Sequence, residues 1–345
     1  MLGAEEITLA FPTKEVFSRV TIGINEGDRI GVVGANGDGK STLLKVLAKR
    51  LEVDSGRVTH RGGIRIGLLD QGDVLDGSLT IGAAVVGHTP EHVWASDARV
   101  RDVISGLLKD LDWNQLVDEL SGGQRRRVAL AALLVQDLDI VMLDEPTNHL
   151  DVEGVAWLAK HLNARWSKTA GGLVVVTHDR WFLDAVCNYT WEVYGGQIEP
   201  FEGGYAAYIL QRNERSRSAA ASESRRQNTL RKELAWLRRG APARTSKPKF
   251  RMDAAAELIA NEPEPRDRVA LSKLATARLG KDVIDVENLS YSIDGRELLH
   301  DVTWRLGPGD RVGLVGVNGA GKTTLLRLIQ GELSPTKGRV KLGKT

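Results

Sequence analysis

Cysteine is nearly absent: Cys187 is the only one in 345 residues. A single thiol cannot build an internal disulfide framework, a four-cysteine zinc site or a cysteine-held iron–sulfur cluster. Its isolation points to a reduced, cytosolic setting. Long apolar runs are missing as well. No stretch approaches the roughly 20 apolar residues that a membrane-crossing helix needs. The first ten residues mix Glu5 and Glu6 with apolar side chains, which is no pattern for a secretory leader. Charge of one sign is not in excess either, since the formal net charge is +2. A nucleic-acid partner would therefore have to meet a local cluster of charge. What remains is an ordinary globular composition, 42% hydrophobic and 27% charged, in a chain long enough for two domains.

The chain repeats itself. GVVGANGDGKSTLL over 31–44 recurs as GLVGVNGAGKTTLL over 313–326. The same spacing aligns Gly27-Asp28-Arg29 with Gly309-Asp310-Arg311, and Gly56-Arg57-Val58 with Gly338-Arg339-Val340. Three separated blocks in one register imply two related domains. The second begins near Asp282, and the chain reaches only its front part before Thr345.

Each repeat has the pattern of a phosphate-binding loop. Ile30 to Val33 reads as a buried strand, a glycine turn follows, and 41–48 begins a helix. Gly34, Gly37 and Gly39 let backbone N–H groups curl around phosphate oxygens, with Asn36 inside the turn and Thr42 just beyond it. The helix N-terminus adds its positive end. The pattern assigns Lys40 to the β- and γ-phosphates of ATP and Ser41 to Mg²⁺. Gly316, Asn318, Gly319, Gly321, Lys322, Thr323 and Thr324 are the second set, with Thr323 as its Mg²⁺ residue. Asp38 is out of place, because an acid beside a triphosphate repels it unless the side chain turns to solvent. The reading expects weaker nucleotide affinity in the first loop than in the second, where Ala320 stands.

Further along, the apolar run 140–143 ends in Asp144 and Glu145, followed by PTNHLD over 146–151. Asp144 is placed to hold Mg²⁺, and Glu145 to polarise a water attacking the γ-phosphate. A second buried run, 173–176, carries His178 just past its end, where ligands of α/β sheets bind. His178 is the candidate γ-phosphate contact. Gln71, after the strand-like 66–69, is a further candidate Mg²⁺ or water ligand. Phe11, ahead of the first loop, suits either stacking on adenine or core packing. In the second repeat Tyr291 and Ile293 are the alternatives. The fold class is α/β.

Between the repeats, thirteen arginines and lysines from 211 to 251 face only Glu214, Glu223 and Glu233. Helix-prone stretches flank GAPARTSKPK over 240–249, which cannot stay helical. A helical hairpin with a basic tip follows, suited to an RNA backbone, with Trp236 as a stacking or packing residue.

The pentapeptide LSGGQ, Leu120 to Gln124, resembles the signature of the ATP-binding-cassette superfamily. That resemblance implies a P-loop ATPase domain with a helical signature subdomain. It also implies that Ser121, Gly122, Gly123 and Gln124 grip the γ-phosphate held by an opposing cassette. On that logic 120–124 completes the second loop, and the first loop needs a signature from elsewhere. The expected consequence is a chain truncated within its second cassette, with weak turnover unless two copies form a homodimer through their first cassettes.

Two cassettes, no membrane domain and a charged helical linker resemble the ABC-F family. RKELAWLRRG over 231–240 followed by Ala243-Arg244-Thr245 resembles its Uup type. This implies a first ABC domain over 1–205, a basic linker over 206–281 and part of a second ABC domain over 282–345. It also implies a cytoplasmic ATPase that binds the ribosome and tRNA through the linker, with DNA as the alternative partner for the Uup type. A transporter motor, a chromosome-maintenance ATPase and a binding module with vestigial ATPase activity are the remaining alternatives. The first should lack a basic hairpin joining two cassettes, and the second should carry a much longer coiled coil.

Overall fold

The computed structural model describes residues 1–70, 72, 75–215, 217–218, 284–293, 295–316 and 319–342. The chain divides into two compact units, Met1–Tyr208 with Leu279–Thr345, and Ile209–Arg278. Most of the second unit lies outside the described residues, including the 240–249 tip, Trp236 and the expected basic hairpin. Gln71 and Asn318 lie outside them too.

The first repeat builds two sheets. β1 (Leu2–Phe11) and β2 (Lys14–Ile24) form an antiparallel pair joined by a short turn, and β4 (Ser55–His60) pairs with β1 on its other side. β3 (Arg29–Val33) leaves this sheet for a six-stranded one, ordered β5-β6-β7-β3-β8-β9. Its other strands are β5 (Ile66–Leu69), β6 (Ile140–Asp144), β7 (Gly172–Val176), β8 (Tyr189–Tyr194) and β9 (Gln197–Glu202). Pairing is parallel except at β9, which returns antiparallel to β8.

Both faces of that sheet are covered, which explains its near-continuous apolar strands. Ile140, Met142, Val174 and Val176 point into one core with β1, β2 and α1 (Lys40–Leu47). Val141, Leu143, Leu173 and Val175 alternate into the other core. That second core is closed by α2 (Ile81–Val86), α4 (Ala98–Leu107), α5 (Gly122–Leu134), α6 (Val152–Arg165) and α7 (Arg180–Val186). The short α3 (Glu91–Trp94) stands near them, with Trp94 against Trp113. Parallel strands put every loop that follows β3, β6 and β7 at the same sheet edge, and the candidate site forms there.

The second repeat reproduces the antiparallel sheet pair for pair. β10 (Ile284–Ile293), β11 (Arg296–Leu306) and β12 (Lys337–Leu342) are ordered β11-β10-β12, as β2-β1-β4 are. Leu2↔Ile24 has its counterpart in Ile284↔Leu306, and Thr8↔Ser55 in Ser290↔Lys337. Even the left-handed residues match, Glu6 and Arg19 with Asn288 and Asp301. Gly56 and Gly338 show why the Gly-Arg-Val block recurs. A Cβ on Gly56 would lie 2.4 Å from the Glu6 carbonyl, and one on Gly338 2.2 Å from that of Asn288.

The repeat departs from the first at 311–315. This segment matches β3 in sequence yet forms no strand, and Val312, Leu314 and Val315 are exposed. In the first repeat β3 is held between β7 and β8, about 140–160 residues later in the chain. No counterpart of either exists among the described residues. An apolar run becomes a strand only where ladders complete it. The helix after the loop, α8 (Lys322–Gln330), still forms over its own small core of Val286, Leu289, Leu325, Leu328 and Ile329.

Candidate active site

The loop between β3 and α1 is shaped by its glycines. Gly39 sits at φ 97° as the N-cap of α1, and a Cβ there would meet Val16 Cγ1 at 2.3 Å. Because Gly39 offers no side-chain cap, the first-turn N–H groups of α1 stay open to an anion. Lys40 arches over the loop and donates to the carbonyls of Gly34 at 3.0 Å and Ala35 at 2.9 Å. In the second repeat, Lys322 donates to Gly316 at 2.7 Å and Gly321 caps α8 at φ 85°. Gly319 keeps the left-handed conformation of Gly37, and Thr323 and Thr324 lie in the first turn of α8.

Asp38 does not turn to solvent. Its Oδ2 accepts the Ala35 N–H at 2.9 Å, and its Oδ1 lies 3.6 Å from Lys14 Nζ. Lys14 also donates to the Gly37 carbonyl at 2.9 Å. The acid is thus folded into the loop beside a cation from β2, which reduces the repulsion expected from the sequence. Lys14 gave no sequence signal, because a lone lysine near a turn resembles any surface charge.

A cavity of about 560 Å³ opens over this loop. Asn36, Gly37, Gly39, Lys40, Ser41 and Thr42 line it from the loop side, and Asp144, Glu145 and His178 from the ends of β6 and β7. Phe11, Thr13 and Lys14 close the rim. Phe11 is 46% exposed, so it is a rim aromatic and not a core one. Its counterpart by register is Ile293, also exposed, while Tyr291 packs on the small core of the second repeat. A larger cavity of about 640 Å³ lies on the other side of Glu145 and His178, walled by Leu150, Val155 and Trp181. It has no residue of the phosphate loop and is the poorer fit to a nucleotide.

Asp144 is 1% exposed. Neither of its carboxylate oxygens has a hydrogen-bond partner among the described residues. Burial raises its pKa and Asp70 adds to the rise, while the nearby Ser41 hydroxyl, Arg126 and Lys45 oppose it. Two orphaned, buried oxygens beside a serine hydroxyl are a hard-oxygen donor set that fits Mg²⁺. Among the described residues no group of three or more His, Cys, Asp or Glu could cage a metal.

Glu145 is held in an uncommon conformation for its type, φ 51°, with its N–H donating to the Val176 carbonyl at 2.8 Å. Its Oε1 lies 3.5 Å from His178 Nε2. Burial raises the pKa of Glu145, and His178 works against that rise. Thr177 braces the pair from below: its hydroxyl meets that of Thr147 at 2.8 Å and accepts the Asp179 N–H at 3.1 Å.

The signature residues form a separate helix start. Ser121 caps α5 by accepting the Gln124 N–H at 3.3 Å, and Gln124 Oε1 accepts the Ser121 N–H at 2.9 Å. Gly122 and Gly123 open the helix above this capping box. None of the four lines either cavity.

A family model described as ABC transporter matches residues 17–148 and 299–345, more than half of the chain. The chain belongs to the ABC transporter family. A second model with the same description matches 191–271, from the last two strands of the first repeat into the stretch that follows it. The chain is 36% identical to the uncharacterized ABC transporter ATP-binding protein YfmR of Bacillus subtilis, covering 100% of this chain and 60% of that protein. It is 34% identical to the energy-dependent translational throttle protein EttA of Escherichia coli, covering 97% of this chain and 66% of that one. The chain therefore spans less than two thirds of the length of these curated relatives. A solved ATP-binding cassette, a dimer in a post-hydrolysis state bound to ADP and Pi, matches with a TM-score of 0.52 and 21% identity. It covers 59% of this chain and 98% of that one, and establishes the cassette fold. No helix among the described residues is long and apolar enough to cross a membrane.

Proposed function

We propose that the chain is an ATP-hydrolysing cassette protein of the ABC-F type that acts in the cytoplasm on the ribosome. The observation that carries the catalytic part is the single cavity shared by the phosphate loop, Asp144, Glu145 and His178. Phe11 stacks on the adenine at the rim, and the open N–H groups at the start of α1 hold phosphate oxygens. Ser41 and Asp144 would hold Mg²⁺, which supplies positive charge against the phosphates when bound. Lys40 neutralises the phosphate chain. Glu145, desolvated and fixed at its backbone, orients the attacking water. His178, whose Nε2 lies 3.5 Å from that carboxylate, would contact the γ-phosphate.

The ribosomal part rests on the likeness to a protein named a translational throttle, and on the thirteen basic residues of 211–251. ATP bridges opposing cassettes through Ser121–Gln124 and favours a closed form. Hydrolysis removes the bridge. The nucleotide moves that equilibrium only by its differential affinity for the closed state. The linker then meets RNA, and tRNA is the ligand its charge and position suit. Branched DNA is the second reading, taken from the resemblance of 231–245 to the Uup type, whose link to DNA runs through a different, C-terminal segment.

The test is co-sedimentation of Glu145→Gln with ribosomes, with and without Mg-ATP. Pelleting that requires Mg-ATP, and that is lost when the linker arginines are neutralised, is the expected result. Equal pelleting without nucleotide would remove the clamp. A supernatant protein that instead shifts branched DNA would replace the ribosome with DNA.

A further inference from the structure

Three consecutive arginines follow the signature, and each is used differently. Arg125 turns back to the carbonyls of Leu120 at 3.0 Å and Asp118 at 2.8 Å, so it fixes the approach to α5. Arg127 pairs with both oxygens of Asp110, at 2.6 and 2.8 Å, and donates to the Leu107 carbonyl at 3.0 Å. It fastens α5 to α4 and the turn after it. Arg126, between them, is half-buried and points to the central sheet. One of its terminal nitrogens donates to the carbonyl of Asp70, the residue after β5. The other donates to the carbonyl of Asp144, the last residue of β6, at 2.6 Å.

A planar, pre-organised fork is well suited to serve two carbonyls on neighbouring strands at once. Its placement joins three things: the second turn of the signature helix, the strand end before Gln71, and the backbone of the orphaned acid beside Ser41. We infer that Arg126 is a positioning residue that sets the end of β6, and so the Asp144 carboxylate, for the cation that accompanies ATP. Its charge also acts directly on Asp144, against the effect of burial. This inference rests on the ATP reading above.

Binding of a fluorescent ATP derivative, measured in Mg²⁺ and again in EDTA, tests it on the full chain. The ratio of the two affinities reads the contribution of the cation. Arg126→Gln should cut that ratio about tenfold, as loss of an outer support of a metal ligand does, while affinity in EDTA stays within about twofold. Arg126→Lys, with one ammonium for two carbonyls, should fall between. Arg127→Gln is the control: it should lower the melting temperature and leave the ratio unchanged. A wild-type ratio in Arg126→Gln would overturn the inference. So would an equal loss in EDTA, or the same loss in Arg127→Gln, because either marks general loosening of the fold. Failure of the wild type to bind nucleotide at all would instead refute the ATP reading, and this inference with it.

Discussion

At the scale of single residues, the site separates charges that the fold tolerates from charges it uses. Asp144 is buried without a hydrogen-bond partner among the described residues. Its folded pKa is raised, chiefly by burial. A raised carboxylate pKa means the native state favours the protonated form. Stability then falls as pH rises through the folded pKa, and the ionised form is a cost at neutral pH. Asp144→Asn should therefore raise the melting temperature of the nucleotide-free protein at pH 7, and the gain should vanish on acidification. The same variant should lose the extra stabilisation that Mg-ATP gives over ATP in EDTA. Thermal melts across pH check both. Phe11, exposed at the rim, should contribute stacking: Phe11→Ala weakens ATP by roughly two- to twelvefold, in line with a ring contact of about 0.5–1.5 kcal/mol, without altering the melt. Asp38 tests whether its contacts in the loop offset the repulsion expected from the sequence. Since Lys14 stands beside it and Ala35 donates to it, Asp38→Ala should leave ATP affinity within about twofold, the size of a screened surface pair. The plain repulsion argument expects clear tightening.

At the scale of elements, legibility followed completeness. β3, β6 and β7 could be read as buried strands because their apolar runs are satisfied on both faces of one sheet. Asp144, Glu145 and His178 could be placed because they sit just past such runs. The run at 311–315 reads the same way and forms no strand, because a ladder needs neighbours that a local sequence does not carry. Arg126 was invisible for the opposite reason. A triplet of arginines looks like a solvated face, and only the fold shows that each points elsewhere. The signature was legible as a motif, but its capping box adds a stability role. Ser121→Ala should cost about 1 kcal/mol through the lost cap, seen as an earlier urea midpoint with an unchanged slope. Ser121→Asp, which can still cap, should keep the midpoint.

At the scale of the molecule, the duplicated sheet and loop imply two nucleotide sites of unequal surroundings. The first has its acid, glutamate and histidine in the same cavity. The second shows Lys322 over Gly316 and an exposed 311–315 segment. The basic stretch of 211–251, legible in the sequence as charge, lies mostly outside the described residues, so its proposed role rests on composition and on likeness to EttA. Titration of ATP should reach two nucleotides per chain, and one in either Lys40→Ala or Lys322→Ala. One nucleotide in the wild type would confine the function to a single cassette.

The most direct test of Glu145 as the hydrolytic residue of the first site is phosphate release from bound ATP, compared between wild type and Glu145→Gln at saturating nucleotide. Both should bind Mg-ATP, and release should be at least about 100-fold slower in the variant, the usual size of a lost general base. Equal rates in the two proteins would contradict the assignment and return the cavity to a binding role.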